Sequence, residues 1–348
     1  MADAGHVASA LSALGGPGES AAVDSLAATL AAGGGNITAL VTHLGPQLTS
    51  TDETARGRGT QLLAEVLRRL PTGSLAGGEV DHLVRFFSNR LGDYPTIGAV
   101  LSGLRALVRS PLPEGGALDI LTHLLEECDV RGLVQGQRHA AMSLILELVH
   151  GEHWGVLAPS GSRLALSTVR ALDGEKDPRN LLLYLQLLRV LCERCEGSGV
   201  GGFEAAIDEV FDSLVCYFPI TFTPPPNDPY QITAQHLLQA LLRTLRASPR
   251  FAPKAFKFFA EKLAEVAHTD EGDGEAEIGR LQVRPLTPHP PALTAVSLPT
   301  SSRATRPLAI SSPSPRHLLA ISSPSPRHLP RGGPACLASV KWGCEGLR

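Results

Sequence analysis

The chain has 348 residues, of which 43% are hydrophobic, and it carries a formal net charge of −3. Its charges are unevenly placed, because residues 1–279 hold 22 basic and 33 acidic side chains whereas residues 280–348 hold 9 and 1. An acidic body argues against a dedicated nucleic-acid surface, which would need clustered Lys and Arg to neutralise phosphates.

The cysteine pattern and the N-terminus predict a soluble protein of the cytosol or nucleus with no membrane partner. The six cysteines lack the regular spacing of a disulfide framework, which favours a reducing compartment. The first 20 residues contain no Lys or Arg, and their short apolar run is broken by glycine, unlike a signal peptide. No run of about 18 apolar residues occurs. The cysteines are Cys128, Cys192, Cys195, Cys216, Cys336 and Cys344.

The elements predicted along the chain are almost all helices. Residues 1–20 are small and Gly-rich, which predicts a flexible N-terminus. Between residues 21 and 267, segments of helical length and period alternate with short Gly, Pro or Asp punctuation. The first clear helix covers residues 53–70 and ends before Pro71, and the next covers residues 78–93. Their apolar faces are Leu62, Leu63, Val66, Leu67 and Leu70, then Val80, Leu83, Val84, Phe87 and Leu91.

Many consecutive short helices, each apolar on one broad face, can be buried in a globular bundle or in a stack of antiparallel pairs. Two such helices with their turns take about 40 residues, which is the period of HEAT and armadillo units. Strand-like alternation is nearly absent. We therefore predict an all-α fold, a HEAT/armadillo-like α-solenoid of stacked antiparallel helix pairs over residues 21–267. In it, Pro95 occupies the first position of a helix.

Residues 268–348 are predicted to be a disordered, Pro/Ser/Arg-rich tail. They open with an acidic stretch, and 12 of the 27 prolines lie between residues 285 and 334. Such a composition cannot bury enough apolar surface to fold. The sequence LAISSPSPRHL occurs twice in tandem, at residues 308–318 and 319–329. Translated repetitive or intronic DNA would explain that duplication, and a Ser-Pro phosphorylation segment is the alternative.

Motifs that would carry chemistry are weak, so we expect no enzyme, no catalytic or metal-binding residues and no cofactor. Gly197, Gly199 and Gly202 match a dinucleotide-binding spacing, but a helix precedes them where a strand is required. Cys192 and Cys195 form a CxxC pair, but a zinc site would need a second such pair, and a reactive thiolate is favoured at a helix N-terminus rather than near a C-terminus. They are interpreted as structural thiols. The sequence HGEHW at residues 150–154 lacks the register of a zinc-binding helix.

Two loops are candidate protein-contact sites. In LDGEKDPRNLL, residues 172–182, an N-cap at Asp177 and a proline at the first helical position specify a loop between helices. Its charged residues Glu175, Lys176, Asp177 and Arg179 form either the rim of that structural loop or a contact surface.

The second loop contains YFPITFTPPPNDPYQIT, residues 217–233. Its three prolines cannot continue a helix and favour an extended polyproline conformation. Phe222 is expected to pin the loop to the solenoid, and a turn through Asn227 and Asp228 leads into the next helix. Both of these turn residues are candidate contacts, and a buried structural role is the alternative.

Five segments of this chain resemble the MMS-nineteen (Met-eighteen) family, large HEAT-repeat proteins of the cytosolic iron–sulfur assembly targeting complex. They are ARGRGTQLLAEVL at 55–67, LVRFFSNRLGDYPTIGAVLSGLRAL at 83–107, LDGEKDPRNLL at 172–182, CYFPITFTPPPNDPYQIT at 216–233 and SPRFAPKAF at 248–256. The proline segment is the most specific of them. The likeness runs in order through residues 20–265.

The resemblance implies a non-enzymatic adaptor that receives apo client proteins of DNA repair, replication and transcription for cluster delivery. The implied partners are client helicases and polymerases, a WD-repeat propeller protein and that protein's small partner. The implied locations are the cytoplasm, the nucleus and the mitotic spindle. A generic HEAT-repeat scaffold with no role in cluster delivery is the alternative.

The chain departs from the family in length. Family members run to about a thousand residues, and the assembly partners are held mainly by their C-terminal repeats. The present chain is therefore expected to be a truncated form, from an alternative transcript or a gene-model error, in which binding of the propeller protein is weakened.

Overall fold

The computed structural model describes residues 4–199, 203–226 and 228–269, and the regular elements of these residues are all helical. A π-helical turn, His123–Glu127, continues the seventh helix. The helices are α1 Ala4–Ala13, α2 Glu19–Ala31, α3 Ile37–Leu48, α4 Glu53–Arg69, α5 Gly77–Ser88, α6 Ile97–Val108, α7 Gly116–Thr122, α8 Gln135–His150, α9 Trp154–Leu157, α10 Gly161–Leu172, α11 Pro178–Ser198, α12 Glu204–Val215, α13 Ala234–Leu245 and α14 Ala252–Thr269.

The helices stack as consecutive pairs, which confirms the predicted all-α solenoid. The second helices of the pairs, α2, α4, α6, α8, α11 and α13, each contact the next one in that order. The first helices form the other layer, in which α1 contacts α3, α5 contacts α7 and α10 contacts α12. The short helix α9 lies in the connection between α8 and α10. Because each helix touches mainly its own partner and the neighbouring pairs, the core is continuous along the stack.

Helix α4 shows how the sequence specifies one of these elements. The Asp52 carboxylate accepts hydrogen bonds from the backbone N–H groups of Thr54 and Ala55, which caps the helix N-terminus. The helix ends at Arg69, since Pro71 keeps the preceding residue out of the helical region. The apolar faces predicted for α4 and α5 are buried. The prediction of these two helices is confirmed.

One glycine allows α5 and α6 to approach closely. A Cβ atom placed on Gly103 would lie 2.5 Å from the ring of Phe87. Phe87 is fully buried, so its ring has little freedom to move aside. The pair is therefore built around a contact that only glycine permits.

Two details differ from the expectations. A helix, α1, occupies residues 4–13 of the segment predicted as a flexible N-terminus, and it buries Val7 and Ala10. Val7 and Ala10 are three positions apart and therefore lie on one face of that helix. Pro95 lies in a short 3₁₀ turn, Tyr94–Thr96, rather than at the start of α6.

None of the described helices is both long and apolar enough to cross a membrane.

Some of the predictions lie outside the described residues. These are the tail with its tandem repeat, Gly202 of the glycine motif, Asn227, Cys336 and Cys344. The domain boundaries at residues 20 and 267 stay predictions.

Candidate protein-contact site

The loops that join the two helices of a pair follow one another along one edge of the stack. Hydrogen bonds connect neighbouring loops directly: the backbone N–H of Asp129 donates to the Tyr94 hydroxyl over 3.4 Å, and that of Gly174 donates to the Tyr217 hydroxyl over 3.0 Å. We call this surface the loop edge. It consists of residues 49–52, 89–96, 128–134, 173–177 and 216–233.

Two arginine–carboxylate pairs tie the loop edge to the second helices of the pairs. The Arg56 guanidinium donates from Nε and Nη2 to the Asp93 carboxylate, over 2.7 and 3.0 Å. The Arg138 guanidinium donates in the same two-pronged way to Glu175, also over 2.7 and 3.0 Å. The hydrogen bonds from Arg56 hold the pKa of Asp93 below its usual range. Each pair fixes a loop against the neighbouring helix pair with a defined geometry.

Glu175 lies inside this arrangement and is only 7% exposed. Besides Arg138, its carboxylate accepts from the backbone N–H groups of Lys176 and Asp177 and from the Asn180 amide. Burial by itself would raise the pKa of Glu175, but these hydrogen bonds outweigh burial and keep the pKa below its usual range. The Glu175 carboxylate is thus fully engaged within the chain.

The other charged residues of this loop divide between structural and accessible positions. Asp177 caps α11 by accepting from the backbone N–H groups of Arg179 and Asn180, and Pro178 occupies the first turn, as predicted. The Gln135 amide also donates to Asp177 over 3.2 Å. Lys176 is exposed. Of the four residues predicted here, Lys176 presents its charge most freely to a partner.

The proline segment is anchored at both ends and open in the middle. The Phe218 ring packs edge-on against Phe259 of α14, with centroids 5.3 Å apart, and Phe222 packs against the core as expected. Pro224–Pro226 are exposed and lie in no regular element. Asp228 accepts from the backbone N–H groups of Tyr230 and Ile232, so it is a turn residue that leads into α13.

The structure brings the two predicted loops together through the hydrogen bond from Gly174 to Tyr217 and through a further contact that the sequence did not reveal. The Arg179 guanidinium, in the first turn of α11, lies over the Tyr230 ring, 4.2 Å from its centroid, and so joins the start of α11 to loop 216–233. Lys176, Asp177 and Asp228 belong to the two loops that these contacts join, Arg179 makes one of the contacts, and Glu175 is buried beneath the surface. Their role as partner contacts stays a prediction.

Exposed apolar side chains add to the loop edge. Tyr94 is 47% exposed, Val134 is 67% exposed and Tyr230 is 58% exposed. Sequence reasoning missed all three as contact candidates, although each lies beside a Pro, Asp or Gln between two predicted helices. Tyrosine exposed beside arginine is typical of surfaces that bind other proteins.

The surroundings of the cysteine and glycine motifs indicate structural roles for their described residues. The thiols of Cys192 and Cys195 are free and buried, and burial raises the pKa of Cys195 to about 12. A thiol that stays protonated is a poor nucleophile and a poor metal ligand. Gly199 ends α11 in the left-handed conformation, with φ of 59°. Across the described part of the chain, no group of three or more His, Cys, Asp or Glu side chains is placed to hold a metal ion.

Comparison with known proteins gives one family over most of the chain. The N-terminal MMS19 family, described as "Dos2-interacting transcription regulator of RNA-Pol-II", matches residues 41–273. Among curated proteins, the chain is similar to the MMS19 nucleotide excision repair protein homologs of Mus musculus, Danio rerio and Bos taurus. The identities are 37% over 242 residues, 38% over 249 and 36% over 242.

The match covers 69% of this chain and 23% of each of these relatives. The chain therefore spans about a quarter of their length. The matched family region contains all five loops of the loop edge and includes α4 to α14.

Proposed function

The chain belongs to the MMS19 family, and from this premise we propose that it is a non-enzymatic scaffold that binds other proteins through its loop edge. Its relatives are named for nucleotide excision repair, and its family for transcription by RNA polymerase II. A role in the nucleus agrees with both names. The finer proposal is that the bound proteins are apo clients of iron–sulfur cluster assembly, with the cluster as cargo and not as a cofactor of this chain.

The observation that supports binding at the loop edge is its combination of rigidity and exposure. The loops are held by buried or half-buried ion pairs such as Arg138 with Glu175, so little conformational entropy is lost when a partner docks. The same loops expose Tyr94, Val134 and Tyr230 to solvent. Preorganised loops that present aromatic anchors favour protein recognition over small-molecule chemistry.

The proposed clients are helicases and polymerases of DNA repair and replication that carry iron–sulfur clusters. A solenoid suits such clients because its loop edge extends over several helix pairs and can contact a large folded surface. The proposed locations are the cytoplasm, the nucleus and the spindle. Binding of the WD-repeat propeller protein and its small partner is proposed to be weak, because the chain spans 23% of its relatives' length.

Capture of purified proteins by the tagged full chain tests the proposal. We expect an iron–sulfur helicase in its apo form to be retained and the WD-repeat propeller protein not to be. Tyr94→Ser combined with Tyr230→Ser should reduce helicase retention, whereas Val156→Ser should not, although Val156 is 54% exposed. Strong direct binding of the propeller protein, or equal retention by both variants, would contradict the proposal.

A generic scaffold with no role in cluster delivery is the second candidate, and the exposed loop edge supports it equally. The two candidates differ in what depletion of the protein does to clients. Cluster delivery predicts that the iron content of client helicases falls, while a generic scaffold leaves it unchanged. Iron and acid-labile sulfide measured on immunopurified helicase decide between them.

A further inference from the structure

A cleft of about 220 Å³ opens on the loop edge between the fourth helix pair, α7 and α8, and the fifth, α10 and α11. One wall carries Arg131, from the loop before α8, and the other carries Lys176, from the loop before α11. Ala171 and Leu172, at the end of α10, supply an apolar side. The cleft is open to solvent and adjoins the surface assigned above to protein binding.

The acidic groups that line the cleft are already bound within the chain. The Glu175 carboxylate receives hydrogen bonds from Arg138, from Asn180 and from two backbone N–H groups. The Asp173 carboxylate accepts from the Ser213 hydroxyl over 2.7 Å. Arg138, in turn, is neutralised by Glu175. Arg138 and Glu175 therefore neutralise each other, whereas Asp173 keeps its negative charge because its donor is a neutral hydroxyl.

Two other cationic side chains that line the cleft are not neutralised in this way. Arg131 and Lys176 are exposed, and within the described residues neither side chain has a hydrogen-bonding or ion-pair partner. The nearest acids in sequence are engaged elsewhere, since Asp129 accepts from the backbone N–H of Gly132 and Asp177 pairs with Arg179. The cleft therefore presents two positive charges, Arg131 and Lys176, against one carboxylate, Asp173, and so carries a net positive charge in a domain that is otherwise acidic.

We propose that this cleft binds an acidic peptide segment of a partner protein. Carboxylates of the segment would pair with the Arg131 guanidinium and the Lys176 ammonium, and an apolar side chain between them would contact Ala171 and Leu172. Two separated cations suit a chain with several carboxylates better than a single small anion. The shallow apolar side accepts one side chain and is too open to enclose a small molecule.

The inference rests on the proposed function, because it requires the loop edge to be a protein-binding surface. It adds the chemistry of the segment that the cleft binds. Because both cations are exposed, each pair contributes modestly and is screened by salt, so binding should be weak and should decline as ionic strength rises. Reversal of both charges replaces two attractions by two repulsions, and about a tenfold loss of affinity is expected.

Fluorescence anisotropy of a short labelled peptide of alternating Glu and Leu, titrated with the full chain, provides the test. Arg131→Glu combined with Lys176→Glu should weaken binding about tenfold. The matched control is Arg243→Glu with Lys257→Glu, which makes the same charge change at exposed positions away from the cleft and should leave the affinity unchanged. Thermal unfolding of both double variants confirms that they are folded.

Three results would overturn the inference: no binding of the Glu/Leu peptide, equal weakening by both double variants, or equal binding of a peptide with Gln in place of Glu. Binding of a phosphoserine peptide without binding of the Glu/Leu peptide would also overturn it. Helicase capture is measured separately on the same variants. If capture persists while peptide binding is lost, the cleft binds acidic segments but does not select the helicase; if capture fails for the unmodified chain, the proposed function fails independently.

Discussion

Two neighbouring loops of the loop edge hold their shape by different means. Loop 173–177 is short and is organised around one buried carboxylate, Glu175, which collects hydrogen bonds from a helix, an amide and the backbone. Loop 216–233 is long, and its Asp228 carboxylate organises only the turn before α13, through the backbone N–H groups of Tyr230 and Ile232. The loop is held by aromatic contacts near its start, at Phe218, and by Ile232 near its end, and its prolines lie in solvent.

The difference shows how loop length changes what specifies a loop. Five residues cannot bury apolar surface of their own, so polar bonds to one central group determine the conformation. A longer loop can place apolar anchors at both ends and leave the middle exposed for contact with a partner. The following predictions test this contrast, beginning with the largest expected effect.

Removal of Arg138 should have the largest effect, since it leaves Glu175 buried beside no cation. Arg138→Ala is expected to lower the free energy of unfolding by about 3 kcal/mol, at the lower end for a broken buried pair because Glu175 keeps its backbone donors. Urea unfolding followed by circular dichroism measures the change. Arg131→Ala, at an exposed and unpaired arginine, is the matched control and should stay within about 0.5 kcal/mol. Equal effects of the two substitutions would show that loop 173–177 does not depend on the pair.

Phe218→Ala tests the apolar anchor of loop 216–233. The ring is half-buried and contacts both Phe258 and Phe259, so a loss of about 2 kcal/mol is expected, less than for a fully buried phenylalanine. The control is Phe256→Ala, because Phe256 is 78% exposed and should contribute little. If the Phe218→Ala protein were as stable as the Phe256→Ala control, contacts other than those of the Phe218 ring would hold the loop.

Acidification should weaken the first loop more than the second. The folded-state pKa of Glu175 is below its usual range, so the stability it contributes is fully present above the unfolded pKa of about 4.3 and is lost as pH falls through the folded value. We expect the slope of unfolding free energy against pH, below about pH 4.3, to be shallower in Glu175→Gln than in the parent chain. Glu114→Gln is the control at an exposed glutamate that resides in another loop, and an unchanged slope in Glu175→Gln would contradict the expectation.

Tyr230→Leu should have the smallest effect. It keeps an apolar side chain and removes the contact between the Arg179 guanidinium and the ring, which is worth about 0.5–1 kcal/mol at an exposed site. A double-mutant cycle with Arg179→Gln isolates that contact. A coupling energy near zero would indicate that the two loops touch without stabilising one another.

Particular residues show how far sequence reasoning reached. Helix α4, the cap at Asp177 and the position of Pro178 at the start of α11 follow local rules, and the structure confirms all three. The burial of Glu175 was not foreseen, because its partner Arg138 is 37 residues away on another helix pair. Arg56 and Asp93 are also 37 residues apart. A search of the sequence for repeated arginine–carboxylate spacings could have found this signal.

Family membership was also readable from the sequence, and the proline segment was its most specific mark. What the loops do could not be read in the same way. Lys176 and Glu175 are adjacent and both charged, yet one faces solvent and the other is 7% exposed. A five-residue loop has no periodicity from which to infer an inward or outward side.

By itself, the sequence determined the class of fold, the positions of most helices and the family, because helical periodicity, caps and prolines act over a few residues. Only the tertiary structure decided which charges are paired inside the chain and which are left for a partner. The pairing of Arg138 with Glu175, the contact of Arg179 with Tyr230 and the free cations at Arg131 and Lys176 all depend on how successive helix pairs stack. Residues about 40 positions apart meet there, and no local pattern encodes that contact.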